Sequence, residues 1–201
     1  IVHRAKRIVV VGDSEQLPPT DFFRSNAIQA ETADNLKFSS FLMGAKAAFK
    51  SQQLSWHYRS ISQELIKFSN AAFYRNNLKI FPSFKAPNPA LSSIKVSGVY
   101  ENRKNKIEAK SLINHFADLL KNDRKSSFAI ITLSEAQLEA VEIALDEKRK
   151  ADAAFNQLME REEARFENGA FSGLLVKNLE NMQGEERDIV LISVGYGFDE
   201  E

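Results

Sequence analysis

Apolar and polar positions along the chain change period several times, and each change marks an expected element. Arg7–Val11 is a short β-branched run that stops at Gly12-Asp13, the pattern of a buried parallel strand running into a loop. Pro18-Pro19 blocks any regular element beyond it. Residues 21–50 are mixed, with helical spacing around Phe41–Phe49. Ser60 with Gln63 predicts a capping box, and Ile61, Leu65, Phe68 and Ala72 follow at helical spacing as an inner face. Residues 81–93 hold Pro82, Pro87 and Pro89 and predict a loop or linker.

From residue 94 the period alternates regularly. Ile94–Tyr100 predicts a strand. Ile107–Leu120 predicts an amphipathic helix with Leu112, Ile113, Phe116, Leu119 and Leu120 on one side. Ser127–Leu133 is an apolar strand, followed by a helix over Ser134–Arg149 that a second capping box opens, Ser134 with Gln137. Residues 151–167 predict a charged helix whose inner stripe is Phe155, Leu158, Met159 and Phe166. Leu174–Lys177 and Asp188–Tyr196 are the last two strands. Strands alternating with helices predict an α/β fold, its mainly parallel sheet covered on both faces. Neither an internal repeat nor a low-complexity tract interrupts this order.

Composition narrows the function without choosing it. Hydrophobic residues make up 43% and charged residues 27%, which is ordinary for a globular chain. Lys+Arg and Asp+Glu both number 27, which excludes a strongly basic nucleic-acid scavenger but leaves room for a local basic groove. The absence of cysteine excludes disulfides, thiolate metal sites and thiol catalysis. With only three isolated histidines, no metal centre is expected. No apolar run reaches membrane-spanning length, so no membrane partner is expected and the cytoplasm is the default compartment. A start without methionine, directly before a strand, suggests a truncated chain.

Three segments carry the chemistry. In Val9-Val10-Val11-Gly12-Asp13-Ser14-Glu15-Gln16-Leu17-Pro18-Pro19-Thr20, a strand ending in Gly-Asp places a polar loop at the carboxyl edge of a sheet, where α/β proteins bind ligands. Gln16 can donate to a phosphate oxygen and accept from a water, which suits a γ-phosphate sensor. In Leu54-Ser55-Trp56-His57-Tyr58-Arg59-Ser60, Tyr58 offers an aromatic face to a base and Arg59 a fixed positive charge to a phosphate. The bland alternative is a core Trp-His-Tyr with Arg59 in a salt bridge. In the third segment, Lys177 to Asp188, Gly184 lets the backbone come close to a phosphate. Asp188 there suits a structural cap or turn.

The first segment resembles motif III of superfamily 1 helicases, particularly the subgroup that includes the nonsense-decay RNA helicases. The resemblance implies that Asp13 lies on the nucleotide side and that Gln16 links the γ-phosphate to the nucleic-acid site. The second segment resembles motif IV, which implies that Tyr58 packs on the adenine and Arg59 reaches the γ-phosphate. Gln183-Gly184-Glu185-Glu186-Arg187-Asp188 before an apolar strand resembles motif V. There Gln183, Gly184 and Glu186 are implied nucleotide contacts, Glu186 through the ribose. Asn178 stands where relatives carry a threonine that binds the nucleic-acid backbone. Thr132, in Ile130-Ile131-Thr132-Leu133-Ser134-Glu135-Ala136-Gln137, matches another such threonine, although the usual following proline is absent. The strings Trp56-His57-Tyr58-Arg59-Ser60 and Lys177 to Asp188, with Gly195-Tyr196-Gly197, are also similar to large bacterial helicase-like proteins. Those proteins commonly carry a nuclease-like domain further on, and some serve in defence against foreign DNA.

This family has the P-loop NTPase (RecA-like) three-layer sandwich, and the nucleotide sits between two RecA-like domains. The resemblance therefore implies residues 1–20 as the last strand and motif III loop of a first domain. Residues 21–53 would connect, and 54–201 would form an incomplete second domain. No Gly-x-x-x-x-Gly-Lys-Ser/Thr occurs in the sequence, so nothing in it cradles the β- and γ-phosphates. The Walker B strand that holds Mg²⁺ is expected before Ile1, and a motif VI arginine after Glu201. ATP and Mg²⁺ are thus cofactors expected of the full-length protein and not of this chain alone. Single-stranded DNA or RNA is the expected partner. Arg7–Val11 is expected to lack its native sheet neighbours. The expectation is an ATP-dependent helicase or translocase. Its rivals are a catalytically silent nucleic-acid-binding scaffold and a regulatory ATPase within a nuclease-type defence effector.

Overall fold

A computed structural model describes residues 4–16, 40–81 and 89–197. Their contacts divide the chain into two compact units, Ile1–Ser93 and Ile94–Glu201. The division lies at the end of the proline-bearing stretch 81–93, downstream of the boundary expected at residues 53 and 54.

In the first unit, helix α1 spans Phe41–Ala48, where Ser40 caps it by accepting the Met43 N–H at 3.3 Å. Strand β1 (Trp56–His57) pairs in parallel with β2 (Lys79–Ile80), and helix α2 (Gln63–Ala72) lies between them in sequence. Arg7–Val11, expected to lack its native sheet neighbours, forms no strand. It has no ladder partner among the described residues, and Val9 and Val11 are 86% and 81% exposed. The expected capping box at Ser60 and Gln63 is also displaced. Ser62 caps α2, because the Ser60 hydroxyl and N–H are engaged by His57. The inner face moves with it: Ile61, Leu65 and Phe68 are exposed, whereas Asn70 is buried. The Asn70 carboxamide donates to the Leu78 carbonyl and accepts its N–H, both at 3.1 Å, which fixes the chain entering β2. Ala45 is the one apolar residue buried among the described residues of this unit.

The second unit holds the core. Helix α3 (Lys106–Asn122), strand β3 (Phe128–Thr132), helices α4 (Glu135–Ala151) and α5 (Ala153–Glu163), hairpin strands β4 (Phe166–Glu167) and β5 (Ala170–Phe171), strand β6 (Leu175–Asn178), a 3₁₀ turn (Leu179–Met182) and strand β7 (Ile189–Ser193) follow in order. The sheet runs β6-β3-β7, parallel throughout, with β3 central and wholly buried. This is an α/β fold of the P-loop NTPase kind, as expected. Phe128 and Ile130 of β3 pack against Ile113, Phe116 and Leu120 of α3, Val141 of α4, and Phe155 and Met159 of α5. Phe116 meets Phe128 and Phe155 edge to face, with ring centroids 5.5 and 6.1 Å apart. Each such buried aromatic contributes about 1.5–3 kcal/mol.

Three expectations for this unit change. Residues 94–100 form no strand, and Ile94 is 61% exposed. The charged helix over 151–167 ends at Glu163, because the Asn168-Gly169 turn, both residues at positive φ, folds Phe166–Glu167 onto Ala170–Phe171. Phe166 is accordingly 65% exposed instead of lining the core. Finally, the core cluster lies on the α3–α4–α5 side of the sheet. On the other face of β7, Val190 and Ile192 are 45% and 58% exposed, so the described residues of this unit supply one helical layer.

Candidate functional site

The sequence-selected residues of the first unit stand on two braced loops. Asp13 follows Gly12, whose α-carbon faces Leu42 of α1 so closely that an added methyl would meet that side chain at 3.0 Å. The Asp13 carboxylate accepts the Glu15 N–H at 3.0 Å and the Tyr74 hydroxyl at 2.5 Å. That hydrogen bond to Asp13, with burial and the nearby carboxylates, pushes the Tyr74 phenol up to about 12. Ser14 accepts from Lys46 at 2.8 Å. Gln16 is exposed at the far end of the same loop. Tyr74, just past the end of α2, carries no sequence signal that would have marked it.

The second loop turns on a histidine that sequence reasoning left without a role. The His57 Nε2 accepts the Ser60 N–H at 3.0 Å, and the Ser60 hydroxyl lies 2.8 Å from the same nitrogen. An acceptor Nε2 requires the neutral ring with its proton on Nδ1. Burial, and next the Arg59 charge, hold the His57 pKa below its usual value, which keeps the ring in that state. The two residues between His57 and Ser60 are thereby turned outward. Tyr58 is 89% exposed, and Arg59 is exposed and forms no ion pair among the described residues. Trp56 is not core: it is 55% exposed, stacks on Phe81 at 4.9 Å and lies 5.0 Å beneath the Lys79 ammonium.

In the second unit two of the selected residues, Thr132 and Asn178, lie at the carboxyl edge of the parallel sheet, and the others follow on the loop that returns to the start of β7. Thr132 ends β3 and lies in register with Asn178 at the end of β6 and with Ser193 at the end of β7. Thr132 is fully buried, its hydroxyl donating to the Ser134 carbonyl at 3.1 Å. Asn178 caps the 3₁₀ turn by accepting the Asn181 N–H at 3.1 Å, and its amide donates to the Glu135 carboxylate. The chain then passes through exposed Gln183 to Gly184, whose φ of 89° falls in the left-handed region with open space around it. Glu186 is exposed beside it. Asp188 is structural, as its place before the strand implied. It accepts the Ser127 N–H and hydroxyl at 2.8 and 2.7 Å and so locks β7 to the start of β3. Those two bonds hold its carboxyl below the usual value.

Two anchors of this unit were not legible from the sequence. Arg187 reaches back to the carbonyls of Gly173 and Phe171 at 3.0 and 3.2 Å, pinning the strand entry to the β4–β5 hairpin. Gln137, fully buried, does not close the capping box expected with Ser134. Ser134 does accept the Gln137 N–H at 3.2 Å, but the Gln137 side chain turns inward. It accepts the Asn105 N–H at 2.7 Å and donates to the Asn105 carbonyl and the Ser193 hydroxyl at 3.2 and 2.9 Å. Ser193 donates onward to Glu108 at 2.6 Å, which also accepts the Gly195 N–H at 3.0 Å. Gly195 has φ 73°, and a β-carbon there would meet Gln137 at 3.0 Å. Among the described residues, no group of three or more His, Cys, Asp or Glu could hold a metal ion, and no helix is long and apolar enough to cross a membrane.

A family model described as an AAA domain matches residues 36–195, a span that includes Tyr58, Arg59, Thr132, Asn178, Gln183, Gly184 and Glu186. An uncharacterised ATP-dependent helicase of Mycoplasma genitalium is 31% identical over 207 residues, which cover 98% of this chain and 18% of that protein. Its homologue in Mycoplasma pneumoniae is 29% identical over 208 residues, with the same two shares. The chain thus spans 18% of the length of the curated relatives it matches.

Proposed function

The chain belongs to the AAA-domain family whose model covers most of it, and from that premise we propose that it is part of an ATP-dependent superfamily 1 helicase or translocase. It contributes the γ-phosphate-sensing side of the ATP site and a stretch of the track for single-stranded DNA or RNA. The observation that carries this reading is the braced turn His57–Ser60, which presents an 89% exposed Tyr58 beside an exposed Arg59. An aromatic and an arginine held in water on a fixed turn contribute nothing to a core, but they suit a base and a phosphate.

In this reading ATP is the substrate, and each residue has one task. Arg59 stabilises charge on the γ-phosphate as the phosphoryl group leaves, and Gln16 orients the attacking water. Tyr58 covers the adenine. Gly184 and Gln183 bring backbone and amide groups up to phosphate oxygens, and Glu186 accepts from the ribose hydroxyls. Asp13, tied to Tyr74, holds the loop that carries Gln16. Thr132 and Asn178 mark the edge that faces the nucleic-acid backbone.

The test is steady-state ATPase of the longer polypeptide that contains this chain, with and without single-stranded DNA or RNA. Turnover should rise with one of them; no rise with either would remove the translocase reading in favour of a silent or regulatory role. Arg59→Ala should lower kcat by about 10³-fold or more while ATP affinity changes little. Weakened binding with kcat intact would take Arg59 out of its role. The isolated chain should hydrolyse no ATP, and turnover by rigorously purified chain would contradict that.

A further inference from the structure

We propose that Glu135 is an internal occupant of the phosphate position beside Asn178, so that strand binding exchanges its carboxylate for a backbone phosphate. This rests on the reading of Thr132 and Asn178 as part of the nucleic-acid track. The Asn178 side chain is buried to 7% exposure and engaged at both ends. Its oxygen accepts the Asn181 N–H at 3.1 Å, and its NH₂ donates to the Glu135 carboxylate. Glu135 is the first residue of α4, directly after the Ser134 cap, where unpaired N–H groups and the helix dipole favour an anion. The anion there is supplied by the chain itself. The neighbouring cation is neutralised in the same way: Lys177, one residue before Asn178, pairs with Glu185 at 3.0 Å. A phosphate arriving at the Asn178 amide therefore meets a carboxylate already holding it, and the two like charges cannot share the site without repulsion. Glu135 sets the affinity of this edge low. That suits a surface that must release its strand once in every cycle.

Glu135→Gln removes the charge but keeps a side-chain oxygen to accept from Asn178, so the fold and the contact survive. The measurement is fluorescence anisotropy of labelled oligothymidylate and oligouridylate titrated with the intact chain over a series of salt concentrations. Compared are wild type, Glu135→Gln, Asn178→Ala, and Glu142→Gln, which makes the same charge change about two turns further along α4. Glu135→Gln should bind roughly three- to tenfold tighter at low salt. Its advantage over wild type should shrink as salt rises, because the repulsion that Glu135 exerts on the strand is screened. Glu142→Gln should match wild type. Unchanged or weaker binding by Glu135→Gln, or equal tightening by Glu142→Gln, overturns the proposal while leaving the track in place. No binding by wild type or Glu135→Gln, or binding indifferent to Asn178→Ala, overturns the track reading and this proposal with it.

Discussion

Replacing Gln137 by methionine keeps the volume and removes only the polar end of the side chain, so it isolates the buried network. Three hydrogen bonds vanish together, those to the Asn105 N–H, the Asn105 carbonyl and the Ser193 hydroxyl. Their consequences differ. The Asn105 carbonyl keeps the Ala109 N–H at 3.1 Å, and Ser193 keeps Glu108 at 2.6 Å. The Asn105 N–H loses its acceptor at a residue that is only 3% exposed. One orphaned buried N–H costs about 1–3 kcal/mol, and the two other bonds about 0.5–1.5 kcal/mol each, so the expected loss is about 4 kcal/mol. Urea denaturation followed by far-UV circular dichroism should show the midpoint falling with the slope unchanged. Ser193→Ala combined with Gln137→Met should cost less than the sum of the two single changes, because both break the same bond. A loss below about 1 kcal/mol, or strict additivity, would refute the view that Gln137 ties α3, α4 and β7 into one unit.

Other outcomes follow from single contacts. Asp188→Asn should cost about 1–2 kcal/mol at neutral pH by weakening the bonds from Ser127. Because the folded pKa of Asp188 lies below its unfolded value near 3.8, its contribution is full above that value and fades as pH falls through the folded pKa; the variant's deficit in denaturation midpoint should therefore shrink in acid. Glu162 shows the opposite sign. Desolvation raises its pKa above 4.5, despite Arg165 nearby, and one carboxylate oxygen is buried without a partner among the described residues. Stability should thus decline as pH rises from 4.5 through the folded pKa, and Glu162→Gln should remove that decline. An unchanged pH profile for Glu162→Gln would remove Glu162 as its source. Gly173→Ala would place a β-carbon 1.9 Å from the Glu162 carbonyl, so it should destabilise by about 1–3 kcal/mol or more; a neutral effect in thermal melts would show that the hairpin can move aside.

Periodicity and local chemistry determined much of the second unit. The helical stripe of Ile113, Phe116 and Leu120, the uniformly apolar β3, and the cap at Ser134 are short-range features. Each is fixed by residues a few positions apart, so the sequence carries them in full. The strings around Arg59 and Gly184 were likewise legible, because their chemistry depends on neighbours in the chain.

Tertiary structure decided what depends on distant partners. One local contact escaped the periodicity as well: His57 takes Ser60, three residues on, and leaves the cap of α2 to Ser62. Whether Gln137 closed a local box or reached into the core turned on the buried Asn105 N–H and Ser193. Asn178 looked like a free substitute for threonine until the register of β3 and β6 brought Glu135 against it. Arg7–Val11 has the composition of a strand yet forms none, because a strand needs a neighbour to pair with and no described residue supplies one. The sequence by itself determined which side chains could serve a nucleotide and a strand; the fold decided which of them are presented and which are already held.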